Sequence, residues 1–171
     1  MRRLVLMPAL LLATPLHAQE APNPQIDYPA FTALAGELAP VREAHLLPLD
    51  RFMAMAQSGD AILLDTRSAA AFAAGHIDGA VNLPFSDFTA EKLAATLGPD
   101  GGRAILIYCN NNFIENRFPV ALKSAPLALN IPTFINLHGY GYTNVWELAD
   151  TVSTADVAWV SSLAADQSPV G

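Results

Sequence analysis

The sequence predicts an α/β domain built on a mainly parallel sheet. Two observations carry that prediction. The runs Ala61-Ile62-Leu63-Leu64 and, within Arg103–Tyr108, Ala-Ile-Leu-Ile-Tyr are short and continuously apolar, the pattern of strands buried on both faces. Between and around them lie segments with helical spacing and recognisable caps, so strand and helix signals alternate every ten or so residues, as they do when parallel strands are joined by helices. The composition permits such a core. Of 171 residues, 52% are hydrophobic and 15% charged, which excludes a disordered chain and suits one ordinary domain.

The elements follow in chain order. Met1-Arg2-Arg3 supplies a positive start, Leu4–Leu16 is a 13-residue apolar stretch, and Leu16-His17-Ala18 offers a small residue for cleavage. Residues 1–18 therefore read as a secretory signal. The stretch is too short, and too interrupted by Pro8 and Pro15, to span a bilayer. Residues 19–44 read as a linker and packing helix: Ala21-Pro22-Asn23-Pro24 is stiff, and the spacing of Tyr28, Phe31, Leu34 and Leu38 predicts a helix over Ala30–Leu38. The main domain is expected over 45–150. Leu46–Leu49 is a short strand, after which Asp50 caps a helix to Gln57 with Phe52, Met53 and Ala56 inward. The Ala61–Leu64 strand ends at Asp65-Thr66-Arg67. Ser68 caps a helix over Ala69–Ala74 that Gly75 stops, and Ala80–Leu83 is a further strand closed by Pro84. Thr89 caps a helix carrying Leu93, Ala94 and Leu97, stopped at Gly98-Pro99. The Arg103–Tyr108 strand delivers Cys109 at its carboxyl end. A helix is predicted over Leu127–Leu137, with Pro126 in its first turn, Leu127, Ile131, Phe134 and Ile135 on its apolar face, and a kink at Pro132. Gly139–Tyr142 forms a turn, and Asn144–Leu148 is the last strand. Residues 151–171 read as a partly disordered C-terminal extension, with Ala164–Gly171 fraying.

Charge and cysteine content narrow the partners. The formal charge is −7, and loss of residues 1–18 takes Arg2 and Arg3 with it, leaving a net −9. Such acidity argues against nucleic acid or an anionic membrane surface. One cysteine excludes an internal disulfide framework and a cysteine-based zinc site. His45 and His138 have no clustered ligand partner, so no metal is expected. No cysteine follows the cleavage point to carry a lipid, so no membrane anchor is expected after cleavage. The expected location is periplasmic or secreted.

Cys109 is the candidate for chemistry. Ligands collect at the carboxyl ends of strands in open α/β sheets, where helix N-termini present backbone N–H groups. A thiol there is expected to lose its proton more readily. Asn110-Asn111-Asn112-Phe113 follows, and asparagine tolerates left-handed angles that would let several N–H groups converge on an anion. Position alone leaves an inert buried cysteine and a functional one equally open. An unpaired cysteine in an oxidising compartment favours function.

The chain resembles rhodanese-like domains. The residues that carry the likeness are Ile62-Leu63-Leu64-Asp65-Thr66-Arg67, Ala71-Phe72 and Gly75-His76-Ile77-Asp78-Gly79-Ala80-Val81-Asn82-Leu83-Pro84, then Tyr108-Cys109 and Gly141-Tyr142-Thr143-Asn144-Val145. The likeness spans about Leu46–Leu148, and a closer match is to exported bacterial single-domain members with a Cys-Asn-Asn-Asn-Phe loop. It implies a five-stranded, mainly parallel sheet flanked by helices on both faces. It also implies that Cys109 takes a sulfane sulfur as a persulfide and passes it to a nucleophilic acceptor, with no metal or organic cofactor. The implied partners are a small sulfur-containing anion and a thiol acceptor. Within the resemblance Asp65 and Arg67 are a structural ion pair and His76 makes a structural hydrogen bond.

Two departures from the family pattern stand out. The Cys109 loop carries three asparagines, and Cys109 to Gly141 spans 32 positions, about ten more than a compact member needs. The surplus is placed in Ile114–Ala125, as a lid, a docking surface or a tolerated insertion. Arg117 and Lys123 within it are candidate anion-attracting groups, and Phe113 is a candidate pocket wall. A cysteine-dependent phosphatase would place arginine six residues after the cysteine to grip phosphate; that position is Glu115, so phosphatase chemistry is not expected. The alternative to sulfur transfer is a catalytically silent binding module whose long loop recognises a protein or ligand.

Overall fold

A computed structural model of the chain describes residues 23–163. The expected signal at 1–18 and the expected fraying at 164–171 lie outside these residues. Five parallel strands form the central sheet in the order β1-β6-β5-β2-β4, namely β1 Leu46–Leu47, β2 Ala61–Asp65, β4 Val81–Asn82, β5 Ala104–Tyr108 and β6 Val145–Leu148. A second, two-stranded antiparallel sheet joins β3 (His76–Ile77) to β7 (Trp159–Val160). The strand expected to be last is therefore followed by another. Its two residues are too few to give a period in the sequence.

Alternation along the central strands divides the core in two. Ile62 and Leu64 of β2, with Ile105 and Ile107 of β5, face a cluster containing Leu38, Leu93, Phe134 and Leu137. Leu63, Leu106 and Tyr108 face the opposite cluster with Phe52, Ile77 and Phe113. Helices α1 (Tyr28–Ala44), α4 (Ala90–Leu97) and α5 (Asn130–Gly139) supply the first layer, and α2 (Leu49–Gln57) lies on the second. Phe52, Phe113 and Phe134 are fully buried, each contributing about 1.5–3 kcal/mol through apolar burial.

Capping explains most helix boundaries. Ser68 accepts from Ala71 N at the start of α3 (Ala69–Ala74), and Thr89 accepts from Lys92 N at the start of α4, as expected. Other boundaries move. α1 runs past Leu38 to Ala44 and contains Pro40. α2 begins at Leu49 rather than after Asp50, because Asp150 at the end of β6 accepts from Leu49 N at 2.8 Å and so does the capping from a distance. The helix expected over Leu127–Leu137 is split. Ala125–Leu127 is a 3₁₀ turn, Leu127 is 68% exposed rather than part of an apolar face, and α5 starts at Asn130. Pro132 then falls in the first turn of α5, where its missing N–H would have had no intrahelical partner, and so costs no helix bond.

The chain beyond Asp150 is part of the domain as far as it is described. Val152 bridges Phe113 in parallel, and Trp159 packs its ring edge-on to Phe113 at 5.0 Å.

Candidate functional site

Cys109 directly follows the central strand β5 and is 1% exposed. The turn after it, Asn110–Asn112, is a right-handed 3₁₀ helix, and no residue other than glycine has a positive φ among the described residues. The asparagines therefore do not serve through left-handed backbone angles, as the sequence suggested. They serve through their side chains. Asn110 Nδ2 donates to Ala121 O at 2.6 Å. Asn111 Nδ2 donates to Lys123 O at 2.8 Å, and Asn111 Oδ1 accepts from Lys123 N at 3.1 Å. Asn112 faces inward: its Oδ1 accepts from Cys109 N at 3.0 Å, and its Nδ2 donates to Leu148 O and Asp150 O. Two asparagines thus fasten the insertion to the cysteine loop, and the third fastens that loop to β6. The two departures from the family pattern are one structural unit.

The far side of the sulfur is built by α5. Backbone N–H groups of Asn111, Leu129 and Asn130 lie near enough to the sulfur to act to lower its pKa. Cys109 Sγ donates to Asn130 Oδ1. Leu129 and Asn130 carried no role in the sequence reading. The signal that could have found them is the requirement itself: a sulfur cradle at a strand end needs a helix N-terminus, and Asn130 is the polar residue at the true start of α5.

The expected easy deprotonation is corrected. Burial pushes the Cys109 thiol up, more than the N–H groups pull it down, and the Glu147 carboxylate adds to the rise. A charged sulfur loses its hydration here before it gains enough donors.

Two clefts are lined by residues next to Cys109 in its loop and at the start of α5, although Cys109 itself lines neither. One, of about 330 Å³, is lined by Thr66, Arg67, Ser86, Asn110, Lys123 and Leu129. The other, of about 380 Å³, is lined by Arg42, Asn111, Asn112, Asn130, Glu147 and Thr151. Lys123 thus reaches a cleft wall, whereas Arg117 is exposed on the insertion and lines neither cleft. Phe113 is 0% exposed and packs edge-on to Tyr108, so it belongs to the core rather than to a pocket wall. Glu115 turns toward the C-terminal segment, where its Oε1 accepts from Ser153 Oγ and Thr154 N. The sequence position at which a phosphatase carries its arginine thus holds a carboxylate that is turned to the C-terminal segment.

Asp65 and Arg67 form a buried pair with side chains 0% and 1% exposed. Arg67 also donates to Gly75 O and to Pro119 O in the insertion, and its guanidinium lies over the rings of Tyr108 and Trp159. It ties four segments to the floor of the cleft. His76 Nδ1 bonds Phe72 O at 2.8 Å, and its ring stacks on Phe72. A second buried acid escaped the sequence reading: Glu147 of β6, 3% exposed, is held by two hydrogen bonds from Arg42 of α1.

No curated protein matches the chain. Among solved structures, the chain is similar to BH2092 protein from Bacillus halodurans, at 16% identity, covering 82% of this chain and 88% of that one, with a TM-score of 0.49. It is similar to a rhodanese with anions from E. coli at 24% identity, covering 59% and 98%, with a TM-score of 0.38. It is also similar to protein hp1203 from Helicobacter pylori at 17% identity, covering 75% and 99%, with a TM-score of 0.44. A family model described as Rhodanese-like domain matches residues 49–152, which takes in every strand of the central sheet except β1, together with Cys109 and both sides of its cradle. The chain belongs to the rhodanese-like domain family, a sulfurtransferase-type family.

Proposed function

We propose that this protein is an exported sulfurtransferase in which Cys109 accepts a sulfane sulfur as a persulfide and passes it to a nucleophilic acceptor. One observation carries the reading: the thiol just after β5 stands against the start of α5, touching Asn130, where backbone N–H groups of Asn111, Leu129 and Asn130 act to lower its pKa. Donors fixed by a fold stabilise a sulfur anion without reorganising. The cleft lined by Lys123 suits a small anionic donor such as thiosulfate, and a thiol or cyanide would take the sulfur away. Burial of Cys109 suits a lone thiol in an oxidising compartment, because it withholds the sulfur from disulfide exchange.

The test is intact-protein mass spectrometry after incubation with thiosulfate, beside a Cys109→Ser control. The expected result is a gain of one sulfur that cyanide or a thiol removes and that the control lacks. Absence of the gain across several sulfane donors, with the protein folded, refutes the reading.

A further inference from the structure

The amide orientations around Cys109 follow from the hydrogen-bond network. Asn112 Nδ2 faces the carbonyl oxygens of Leu148 and Asp150, at 2.8 and 3.1 Å, and a carbonyl accepts only from a donor. Asn112 Oδ1 must then point the other way, where it accepts from Cys109 N at 3.0 Å and from Asn130 Nδ2 at 2.9 Å. With its Nδ2 so committed, Asn130 turns Oδ1 to the sulfur, and Cys109 Sγ donates to it. All three residues are buried. An amide oxygen accepts from a thiol but presents only lone pairs to a thiolate.

We propose that the Asn112–Asn130 relay holds Cys109 as the neutral thiol, and that the Asn130 amide turns over when the sulfur becomes an anion. This inference rests on Cys109 being the sulfur acceptor and describes how that site is regulated. The charged groups around it are few. Glu147 of β6 is bound to Arg42 of α1, Asp65 and Arg67 of the β2 end neutralise each other, and Lys123 stands on the insertion at the cleft wall. Among these, Glu147 is the one that bears on the sulfur, and it acts in the same sense as the relay.

The chemistry balances from the thiol. Cys109 Sγ bonds to the outer sulfur of thiosulfate while the donor's S–S bond breaks, its electron pair leaving with sulfite. The Sγ proton departs on the sulfite as hydrogen sulfite, and one negative charge stays on the persulfide. Asn130 Oδ1 has then lost its donor. A half-turn of the amide brings Nδ2 to the persulfide and turns Oδ1 toward Asn112 Oδ1, two acceptors that repel, so the Asn130 side chain also draws back from Asn112, which keeps its bond to Cys109 N. The loop stays shut while Asn130 reads the charge on the sulfur.

The experiment is the rate of iodoacetamide alkylation of the full chain against pH, for wild type and Asn130→Ala. The expected result is a midpoint about one pH unit lower in the variant, hence alkylation about tenfold faster at neutral pH, with the high-pH plateau unchanged. A rate raised equally at every pH, or an unchanged profile, overturns the proposal, since either reports a merely structural asparagine. If Asn130→Ala does not fold, the wild-type protein decides. Its Asn130 side-chain amide resonances should move with the thiol titration, and resonances that stay still overturn the proposal. Neither readout needs sulfur transfer, so failure to form a persulfide counts against the proposed function separately.

Discussion

Replacing Asn110 and Asn111 together by alanine should open the insertion without unfolding the domain. The double change removes three hydrogen bonds, from Asn110 to Ala121 O and the reciprocal pair between Asn111 and Lys123. All three are exposed, so each is worth about 0.5–1 kcal/mol net. Their loss of about 1.5–3 kcal/mol favours the open insertion by about 10- to 150-fold. The closed form remains anchored by Val120, 1% exposed, and by the bond from Arg67 to Pro119 O, so the overall fold should survive. Because Cys109 is 1% exposed, a thiol reagent reaches it only through local opening. Alkylation by iodoacetamide at fixed pH, followed by mass, should therefore accelerate by that factor, with far-UV circular dichroism unchanged. A rate equal to wild type refutes the argument that the asparagines close the site.

Other perturbations address separate groups. Arg67→Met leaves Asp65 buried and unpaired, which should cost about 3–5 kcal/mol in urea unfolding. Asp65→Asn in the same chain should recover part of that loss, and no recovery would show that Arg67 acts through its other contacts. Because burial raises the Cys109 pKa, the folded state holds its proton where the unfolded thiol has lost it. The stabilisation is complete below about pH 8.5 and declines as pH rises above that value toward the folded pKa. Wild type should accordingly lose stability relative to Cys109→Ser between pH 7 and 10, and parallel curves would contradict this. Burial does most to raise the thiol and the Glu147 charge adds to it, so Glu147→Gln should lower the alkylation midpoint by a smaller step. It also weakens a charge-assisted bond to Arg42, at about 1.5–3 kcal/mol in chemical denaturation.

Legibility in the sequence tracked how local each cause was. Ser68 and Thr89 cap helices through bonds spanning three residues, and the continuous apolar runs mark strands whatever the rest of the chain does. The start of α2 was missed because its cap comes from Asp150, a hundred residues away. The start of α5 was missed because Pro126 belongs to a separate 3₁₀ turn. Cys109 was legible from its place after a β run. Its partner Asn130 was not, because the two stand 21 positions apart across mostly irregular chain, and only the packing of α5 on the sheet brings them together. The direction of the thiol's shift was misread for a related reason. Donors can be inferred from a helix start, but burial depends on everything packed around it. The asparagines drew notice for their backbone freedom, whereas their side chains do the work.

Gly75 has an extended φ of 170°, so any residue could adopt its backbone. Space is what restricts it: a Cβ there would lie 2.3 Å from Trp159 Nε1. The same indole rests on Arg67 and on Phe113, the residue that closes the cysteine loop. The matched family region stops at residue 152, seven residues short of this tryptophan. A chain trimmed to the family boundary would keep every strand of the central sheet that the boundary encloses, yet leave a slot over Arg67 empty and β3 unpaired. Truncation at 152 would thus damage the sulfur site from behind, and a silent fragment of that length would say nothing about the chemistry of the whole.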